Sequence, residues 1–308
     1  IRERKDETIS LYANDEIALG DHLRIDGGIR WEQDTATAFD GQSAAVNQAV
    51  PASQGGVIRN VGSTFNGVFA PANLARTGAD GKLKQDKISW TVGANYLFTP
   101  NFSIYARYAD GFQTNNIDPI TTIKLYEAGV RYQYGRLFNG SVTVFRTNFD
   151  DQSYNFANPL NPTQQQNINA DLRTKGIEVD VVVRPIRWFS VDFQGVFQDP
   201  KLENLQIDGT TQSGFEGNRP ERTPARLWTV TPSIQLPNGL GDIYGRYKYV
   251  GKIFADAGNG VALPSYGVTS AGVNLNVTER LQVSINAENI FDVVGLTEGN
   301  PRQGQTQA

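Results

Sequence analysis

The chain has 308 residues, of which 39% are hydrophobic, 19% charged and 10% aromatic. Its mean hydropathy of −0.40 and the lack of any run of about 18 apolar residues exclude a protein that spans membranes with helices. The net charge of −4 and the pI of about 5.2 argue against a nucleic-acid partner, which requires a clustered basic surface.

Two residue types are missing from the chain, Met and Cys. Because translation starts with Met, the sequence predicts a processed chain or a fragment. Residues Ile1–Lys5 are too charged to open a signal peptide. The lack of Cys is compatible with export into an oxidising compartment.

Strict alternation of apolar and polar residues begins near the start of the chain and returns throughout it. In Leu23–Glu32, for example, Leu23, Ile25, Ile29 and Trp31 alternate with charged or small residues. Such a period of two predicts a strand with one apolar and one polar face. The pattern is clear in six stretches: Ile9–Asn14, Leu23–Glu32, Ile88–Phe98, Phe102–Tyr108, Ile177–Arg184 and Leu281–Glu288.

Six weaker stretches complete a prediction of about twelve strands and an all-β chain. In one of them, Val144 and Phe145 are adjacent, so the sequence leaves the two faces of that strand unassigned. The weaker stretches are Leu125–Tyr134, Asn139–Phe149, Trp188–Phe197, Arg226–Leu236, Asp242–Phe254 and Tyr266–Val277.

The predicted connections alternate between short and long. The short ones are residues 19–22, 99–101, 135–136, 185–187, 237–239 and 278–280. The long ones are residues 34–86, 113–123, 150–169, 198–223 and 255–264. Short turns at one end and long loops at the other are typical of an antiparallel transmembrane β-barrel, whose strands need about 9–11 residues to cross the membrane.

Two soluble all-β folds compete with the barrel. A propeller would repeat at about 40–45 residues, whereas the long connections here differ widely in length. A sandwich has no reason to alternate short and long loops by side. Aromatic residues near strand ends, among them Trp90, Trp188 and Phe254, favour the membrane because amphipathic rings gather at its interfaces.

Several segments resemble the TonB-dependent receptor family, in family order along nearly the whole chain. The strand Phe102–Phe112 is similar to the Tyr-Ala-x-Tyr-x-x-Gly-Phe strand of that family, and Glu288–Asp292 resembles its Asn-Leu-Phe-Asp motif. Three further segments resemble the hairpin, the Tyr-Glu-x-Gly strand start and the Gly-hydrophobic-Glu strand of the family: Ile9–Trp31, Tyr126–Val130 and Thr174–Glu178.

The resemblance implies about 12 strands of an expected barrel of 22. In this interpretation residues 1–308 form a partial barrel that lacks the plug domain, the N-terminal strands and the final strand. The sequence departs from the family pattern after Phe112, where Gln113-Thr114-Asn115-Asn116 replaces a basic residue and Ala-Pro.

The resemblance also implies a function in the outer membrane of a Gram-negative bacterium. The family members bind a scarce nutrient, most often a ferric siderophore, and import it when the TonB coupling protein acts on the plug. The expected partners are therefore outer-membrane lipid, the plug domain, TonB and a small-molecule ligand. No cofactor is expected.

Candidate ligand-binding residues lie in the long connections or directly beside them. By position, residues 113–123 and 150–169 match two loops that close over ligand in the family, and the second is rich in amides and aromatic rings that suit a sugar or a siderophore. Arginines in the 198–223 connection could bind an anionic chelate. The candidates are Phe112, Gln113, Asn115, Tyr154, Phe156, Gln165, Arg219 and Arg222.

Other polar residues favour structural roles over chemistry. His22 is the only histidine and lies in a predicted short turn, which argues against a catalytic triad or a metal cluster, so we expect no enzyme and no metal site. Charged residues on the polar strand faces are expected to form an internal salt-bridge lattice: Arg24, Asp26, Arg30, Glu32, Glu127, Arg131, Glu178 and Asp180.

Three alternatives remain open from the sequence. The first is a receptor for a carbohydrate or another bulky solute. The second is a complete barrel of about twelve strands that acts as a passive pore or adhesin. The third is a soluble extracellular β-protein.

Overall fold

The computed structural model describes residues 2–40, 46–49, 58–61, 81–113, 120–158, 161–207, 210–211 and 213–298. Most of these residues are in β-strands, and the helical content of this described part consists of two single 3-10 turns, at Ser213–Phe215 and Pro237–Gly239. Among the described residues, no helix has both the length and the apolar character required to cross a membrane.

The strands follow one another with few interruptions. In chain order they are β1 (Arg2–Leu19), β2 (Leu23–Asp40), β3 (Val46–Ala49), β4 (Ile58–Val61), β5 (Gly81–Thr99), β6 (Phe102–Gln113), β7 (Thr121–Tyr134), β8 (Phe138–Asn158), β9 (Asn161–Ile186), β10 (Phe189–Ile207), β11 (Thr210–Thr211), β12 (Arg226–Gln235), β13 (Gly241–Val250), β14 (Ile253–Phe254), β15 (Ala262–Leu263), β16 (Tyr266–Thr278) and β17 (Leu281–Ala287).

One large sheet contains most of the strands, in the order β1-β2-β5-β6-β7-β8-β9-β10-β12-β13-β16-β17. The ladders from β5 to β17 are antiparallel. The short strand β11 pairs with β10, while β3–β4 and β14–β15 form separate two-stranded ladders. The prediction of an all-β chain with about twelve consecutive antiparallel strands is confirmed.

The long connections are shorter than the alternation predicted. The segment 150–169, expected to be a loop, is strand on both sides of a tight turn, because β8 continues to Asn158 and β9 begins at Asn161. In the same way β2 and β10 run beyond their predicted ends, to Asp40 and Ile207. Backbone pairing continues in these segments although strict alternation of side chains has stopped.

One predicted strand ends too late. The stretch Asp242–Phe254 is not continuous, because β13 ends at Val250 and Ile253–Phe254 pairs instead with Ala262–Leu263. Phe254 therefore lies in a loop hairpin and is not an interfacial aromatic residue at the end of a membrane strand. Gly251, which separates the two strands, donates its backbone N–H to the Arg226 carbonyl over 2.8 Å.

The structure assigns the faces of β8 that the sequence left open. Val142 and Val144 are exposed at 40% and 52%, whereas Thr143 between them is buried. Val142 pairs with Val130, which is also exposed, and Val144 pairs with Ile177. We call this surface the apolar face; the opposite surface, which carries Thr143, is the polar face.

The residues fall into two units by their internal contacts: Ile1–Leu11 with Arg30–Ile88, and Tyr12–Ile29 with Ser89–Ala308. In the first unit Arg30 forms an ion pair with Glu32, and Ala36 is buried. The second unit contains the strands from β6 to β17 and the candidate sites.

Candidate ligand-binding site

The polar face of the second unit carries charged residues that face one another across strands. Arg107 on β6 donates from Nη2 to Oδ2 of Asp26 on β2 over 3.1 Å, and its direct neighbour on β7 is Glu127. Gly93 makes room for this pair, since a Cβ atom there would lie 2.7 Å from Oδ1 of Asp26. The Asp26 carboxylate is therefore packed tightly against the backbone of β5 at Gly93.

An aromatic contact occupies the next row of the same face. The ring of Tyr105 lies over Gly129, where a Cβ atom would come within 2.7 Å of the ring, and the Tyr105 hydroxyl is 2.5 Å from Oγ1 of Thr143. The guanidinium of Arg131 lies 4.4 Å from the centre of the Tyr105 ring. A cation over an aromatic face is held by the ring quadrupole. Arg131, Tyr105 and Thr143 therefore interact with one another.

The expected salt-bridge lattice is present only as separate pairs. Besides the Asp26 pair, Arg24 lies 3.7 Å from Glu16. Within the described parts of the chain, Glu127, Glu178 and Asp180 form no ion pair. The alternation of charge along each strand was therefore a correct guide to the polar face but not to the pairing.

At the end of the sheet that carries the long connections, Asp256 shapes a tight loop between β14 and β15. Its Oδ2 accepts the backbone N–H of Gly260 over 2.9 Å, and its Oδ1 accepts that of Val261 over 2.7 Å. Asn259, in the same loop, has a positive φ of 57°, a conformation that asparagine tolerates better than most residues. These contacts fix the β14–β15 hairpin.

The hairpin is tied to the segment that precedes β12. The Asn259 side chain donates to the Arg219 carbonyl over 2.8 Å and accepts the Arg219 backbone N–H over 3.0 Å. Asn218 donates from Nδ2 to the Ala257 carbonyl over 3.0 Å. Three hydrogen bonds between segments about forty residues apart hold these loops together.

Apolar packing supports the same loop assembly. Leu202 and Leu205 at the outer end of β10 form a buried cluster with Ala170 and Ala257, against which Phe215 packs. A second cluster unites Ile253, Ala255 and Leu263 with Leu296. We call the residues 213–225, 251–264 and 289–298, together with the outer ends of β9 and β10, the loop assembly.

Two cations converge on one aromatic ring of the loop assembly. The Arg219 guanidinium lies 5.6 Å from the centre of the Phe254 ring, and Nζ of Lys252 lies 4.8 Å from it. Arg219 also donates from Nη1 to the Lys252 carbonyl over 3.2 Å, which leaves other guanidinium donors for a ligand. An anionic group with an aromatic body could use both the charges and the ring.

The other predicted arginine has a structural partner. Arg222 donates from Nη2 to Oε1 of Glu298 over 2.5 Å, and its backbone N–H bonds to the Phe254 carbonyl over 2.9 Å. Both groups are more than half exposed, so this pair is weak in stability. Arg222 links the segment before β12 to the segment after β17.

Glu221 lies between the two arginines and is partly buried. Burial is the main cause that raises the pKa of Glu221 to about 7, and the nearby Asp256 carboxylate raises it further. A hydrogen bond from the Ala257 backbone and the charge of Arg222 act in the opposite direction and lower it. The protonation state of this carboxyl group therefore changes near neutral pH.

The remaining predicted residues lie on the extended strands. Phe112 and Gln113 form the last pairs of β6, with Thr122 and Thr121, and the backbones of Tyr154, Phe156 and Gln165 lie in the hairpin of β8 and β9. Asn115 lies outside the described residues. The predicted residues that the structure describes thus lie in two places, the strands β6, β8 and β9 and the loop assembly.

Sequence reasoning missed Phe254, Lys252, Glu221, Asp256 and Asn259. The turn-forming run Asp256-Ala257-Gly258-Asn259-Gly260 was a signal for a loop with side-chain hydrogen bonds. In the described part of the chain there is no group of three or more His, Cys, Asp or Glu residues that could hold a metal ion.

Known proteins agree with this architecture. The family model for the TonB dependent receptor-like β-barrel matches residues 2–290. The pesticin receptor of Yersinia enterocolitica is 22% identical over 302 residues, which cover 93% of this chain and 39% of the relative. A probable TonB-dependent siderophore receptor, PiuA of Acinetobacter baumannii, is 24% identical over 255 residues, covering 74% and 33%.

Solved structures show the same fold. The crystal structure of the ferric yersiniabactin uptake receptor FyuA from Yersinia pestis superposes with a TM-score of 0.70 at 20% identity, covering 97% of this chain and 42% of that one. The chain thus spans about two fifths of the length of the relatives it matches. It is an outer-membrane protein of a Gram-negative bacterium, from a family of transport receptors and not of enzymes. The chain belongs to the TonB-dependent receptor family.

Proposed function

We propose that the protein is an energy-coupled receptor that binds a ferric siderophore at the end of the long connections and imports it. In this proposal residues 1–308 form part of a 22-stranded barrel, whose plug domain lies elsewhere in the protein. The ligand is released inward when TonB acts on the plug. The similarity to receptors named for siderophores and for pesticin supports an iron-related ligand.

The convergence of Arg219 and Lys252 on the Phe254 ring is the observation that carries this proposal. Ferric siderophores are bulky, often aromatic and frequently anionic, so two cations around a half-buried ring match them better than they match a neutral sugar. The amides and rings of the β6–β9 hairpins are the proposed remaining contacts, namely Phe112, Gln113, Asn115, Tyr154, Phe156 and Gln165. Arg222 is proposed to contribute through its exposed guanidinium.

The test is a fluorescence titration of the purified full-length receptor with ferric siderophores of the catecholate, hydroxamate, citrate and phenolate classes, and with maltotriose as the carbohydrate rival. One ferric chelate should bind with a Kd at or below the micromolar range. Arg219→Gln should weaken this binding about tenfold or more, because a hydrogen bond to a charged group is lost.

The matched control is Arg187→Gln, which removes the same charge from the short turn between β9 and β10. Its affinity should equal that of the wild type. Binding of maltotriose but of no ferric chelate would replace the iron hypothesis with the carbohydrate one. If neither class binds, the receptor function itself is refuted for these ligands.

A further inference from the structure

Three basic residues stand on neighbouring strands of the apolar face, within two adjacent cross-strand rows. Arg146 on β8 is the direct cross-strand neighbour of Tyr126 on β7 and of Lys175 on β9. Lys124 precedes Tyr126 by two residues and pairs with Asn148, so it occupies the adjacent row. We call Lys124, Arg146 and Lys175 the basic row.

The basic row has no carboxylate partner of its own. Within the described residues none of its three members forms an ion pair. Two acids are direct cross-strand neighbours of its lysines, Asp110 of Lys124 and Asp199 of Lys175, and Asp199 also lies 3.4 Å from Nζ of Lys201. Arg146 donates from Nε to Oδ1 of Asn148 over 3.1 Å, which leaves the two terminal nitrogens of its guanidinium for an outside anion.

The row stands at one boundary of the apolar layer. Measured from the short-turn ends of their strands at Tyr134, Phe138 and Ile186, its members are 10, 8 and 11 residues away. With a rise of about 3.4 Å per residue and a strand tilt of roughly 45°, these distances correspond to heights of about 19–26 Å. The apolar band of an outer-membrane barrel is about 25 Å tall, so the row lies where lipid headgroups begin.

A furrow of small residues crosses the apolar face beside this row. Ala94, Ala106 and Ala128 are direct neighbours on β5, β6 and β7, and Val144 continues their row on β8. Two shallow cavities of about 640 and 560 Å³ share these alanines, and the larger one reaches Arg146. The furrow therefore runs from the centre of the apolar face to the basic row.

Aromatic rings border the furrow on the side of the row. The ring centres of Trp90 and Tyr108 are 4.9 Å apart, as are those of Tyr108 and Tyr126. Amphipathic rings in contact are typical of the interface between apolar chains and headgroups. They mark the same boundary that the strand lengths give.

We propose that the basic row and the alanine furrow form a binding site for one phosphorylated membrane lipid. The phosphate bonds to Arg146 and Lys175, with Lys124 beside them, and one acyl chain lies in the furrow against Ala94, Ala106 and Ala128. Charge complementarity selects an anionic headgroup, and the furrow offers an acyl chain closer contact than the bulkier rows beside it. This site is on the opposite surface from the charged residues of the polar face and is independent of the ligand-binding function.

The test uses native mass spectrometry of the delipidated full-length receptor, titrated with dioleoyl phosphatidic acid. One lipid should remain bound, whereas dioleoylglycerol, with the same chains and no phosphate, should not. The double variant Arg146→Gln/Lys175→Gln should bind phosphatidic acid about 30-fold more weakly, at roughly fivefold for each basic residue removed. The matched control, Arg136→Gln/Arg187→Gln, removes two charges from the short turns and should bind like the wild type.

Two further measurements separate a lipid site from a simple anion site. Inorganic phosphate at millimolar concentration should not displace the lipid, and Ala106→Trp, which fills the furrow, should weaken lipid binding while the heat-modifiable mobility of the folded barrel persists. Equal binding of dioleoylglycerol, displacement by inorganic phosphate, or equal losses in the two double variants would each overturn the proposal.

Discussion

The strand region and the loop assembly place their apolar residues in opposite ways. On β7 and β8 the large apolar side chains Val130, Tyr132, Val142 and Val144 are 40–52% exposed. In the loop assembly the apolar residues Leu202, Leu205, Ala257, Ile253 and Leu263 are at most 6% exposed. Nearly all the buried apolar residues of the second unit thus lie outside the part of the sheet that carries the apolar face.

This contrast arises because the strand region is surrounded by lipid and the loop assembly by water. A strand in a membrane barrel turns its apolar side chains to lipid and its polar ones inward, so burial by protein is not required. A loop in water must cover its apolar side chains with other protein atoms, as the clusters around Leu205 and Ile253 do. Stability therefore depends on the lipid in one region and on a small packed core in the other.

The largest effect is expected in the packed core of the loop assembly. Leu205→Ala removes a side chain that is 1% exposed, which should destabilise the loop assembly by about 2–5 kcal/mol because a cavity remains. Hydrogen exchange of the amides of residues 253–263 should report it. Val261→Ala, at a 41% exposed position of the same loop, should change that exchange little, and an equal effect of both substitutions would contradict a packed core.

A charge introduced on the apolar face should destabilise the protein almost as much as Leu205→Ala destabilises the loop assembly. Val130→Arg, near the middle of β7, should destabilise the folded protein in a bilayer by about 2–4 kcal/mol, measured by urea unfolding in vesicles. The same change on the polar face, Gln194→Arg, is opposite Asp180 on β9 and should be tolerated. If Gln194→Arg were the more damaging substitution, the assignment of the two faces would be reversed.

Loss of the Asp256 carboxylate should have a moderate effect. Asp256→Ala removes the acceptors for the backbone N–H groups of Gly260 and Val261, at a cost of about 1–2 kcal/mol of local stability. Faster hydrogen exchange of the Val261 amide is the readout. Asp256→Asn, which keeps one acceptor oxygen, should fall between the wild type and the Ala variant.

The smallest effect is a dependence of the loop assembly on pH. Because the pKa of Glu221 is raised to about 7 in the folded protein from about 4.3 in an unfolded chain, the folded state binds the proton more tightly. The contribution of Glu221 to stability is therefore fully present below pH about 4.3 and is lost as the pH rises through 7. Hydrogen exchange of residues 255–261, corrected for intrinsic rates, should show looser packing at pH 8 than at pH 6.

Glu221→Gln should abolish this difference, because its amide carbonyl can still accept the Ala257 N–H without ionising. Glu279→Gln, in the short turn before β17, is the control and should leave the difference intact. A wild-type protein whose loop exchange is the same at both pH values would rule out the titration of Glu221 in this range.

The sequence predicts the strand region better than it predicts the loop assembly. Alternation identified the twelve main strands and the six short turns, because lipid on one side and polar surroundings on the other impose a period of two on every strand. Beyond the membrane that constraint ends, so the continuation of β8 to Asn158 and of β10 to Ile207 left no period to detect.

The candidate site was harder to predict for a different reason. The charge of Arg219 is visible in the sequence, but its contacts with Asn259, 40 residues away, and with Phe254 depend on how distant loops pack. The sequence predicts an interfacial ring at Phe254, because local pattern cannot distinguish the end of a long strand from a strand of two residues in a hairpin. Only the three-dimensional structure brings these residues together.

The most direct test of the receptor account is uptake of a radiolabelled ferric siderophore, chosen by the binding titration, into cells that carry the full-length protein as their sole receptor. We predict saturable uptake that is lost when TonB is deleted or the proton gradient is collapsed, and that is reduced by Arg219→Gln but not by Arg187→Gln. Uptake that rises linearly with concentration and persists without TonB would contradict the account and identify a passive pore.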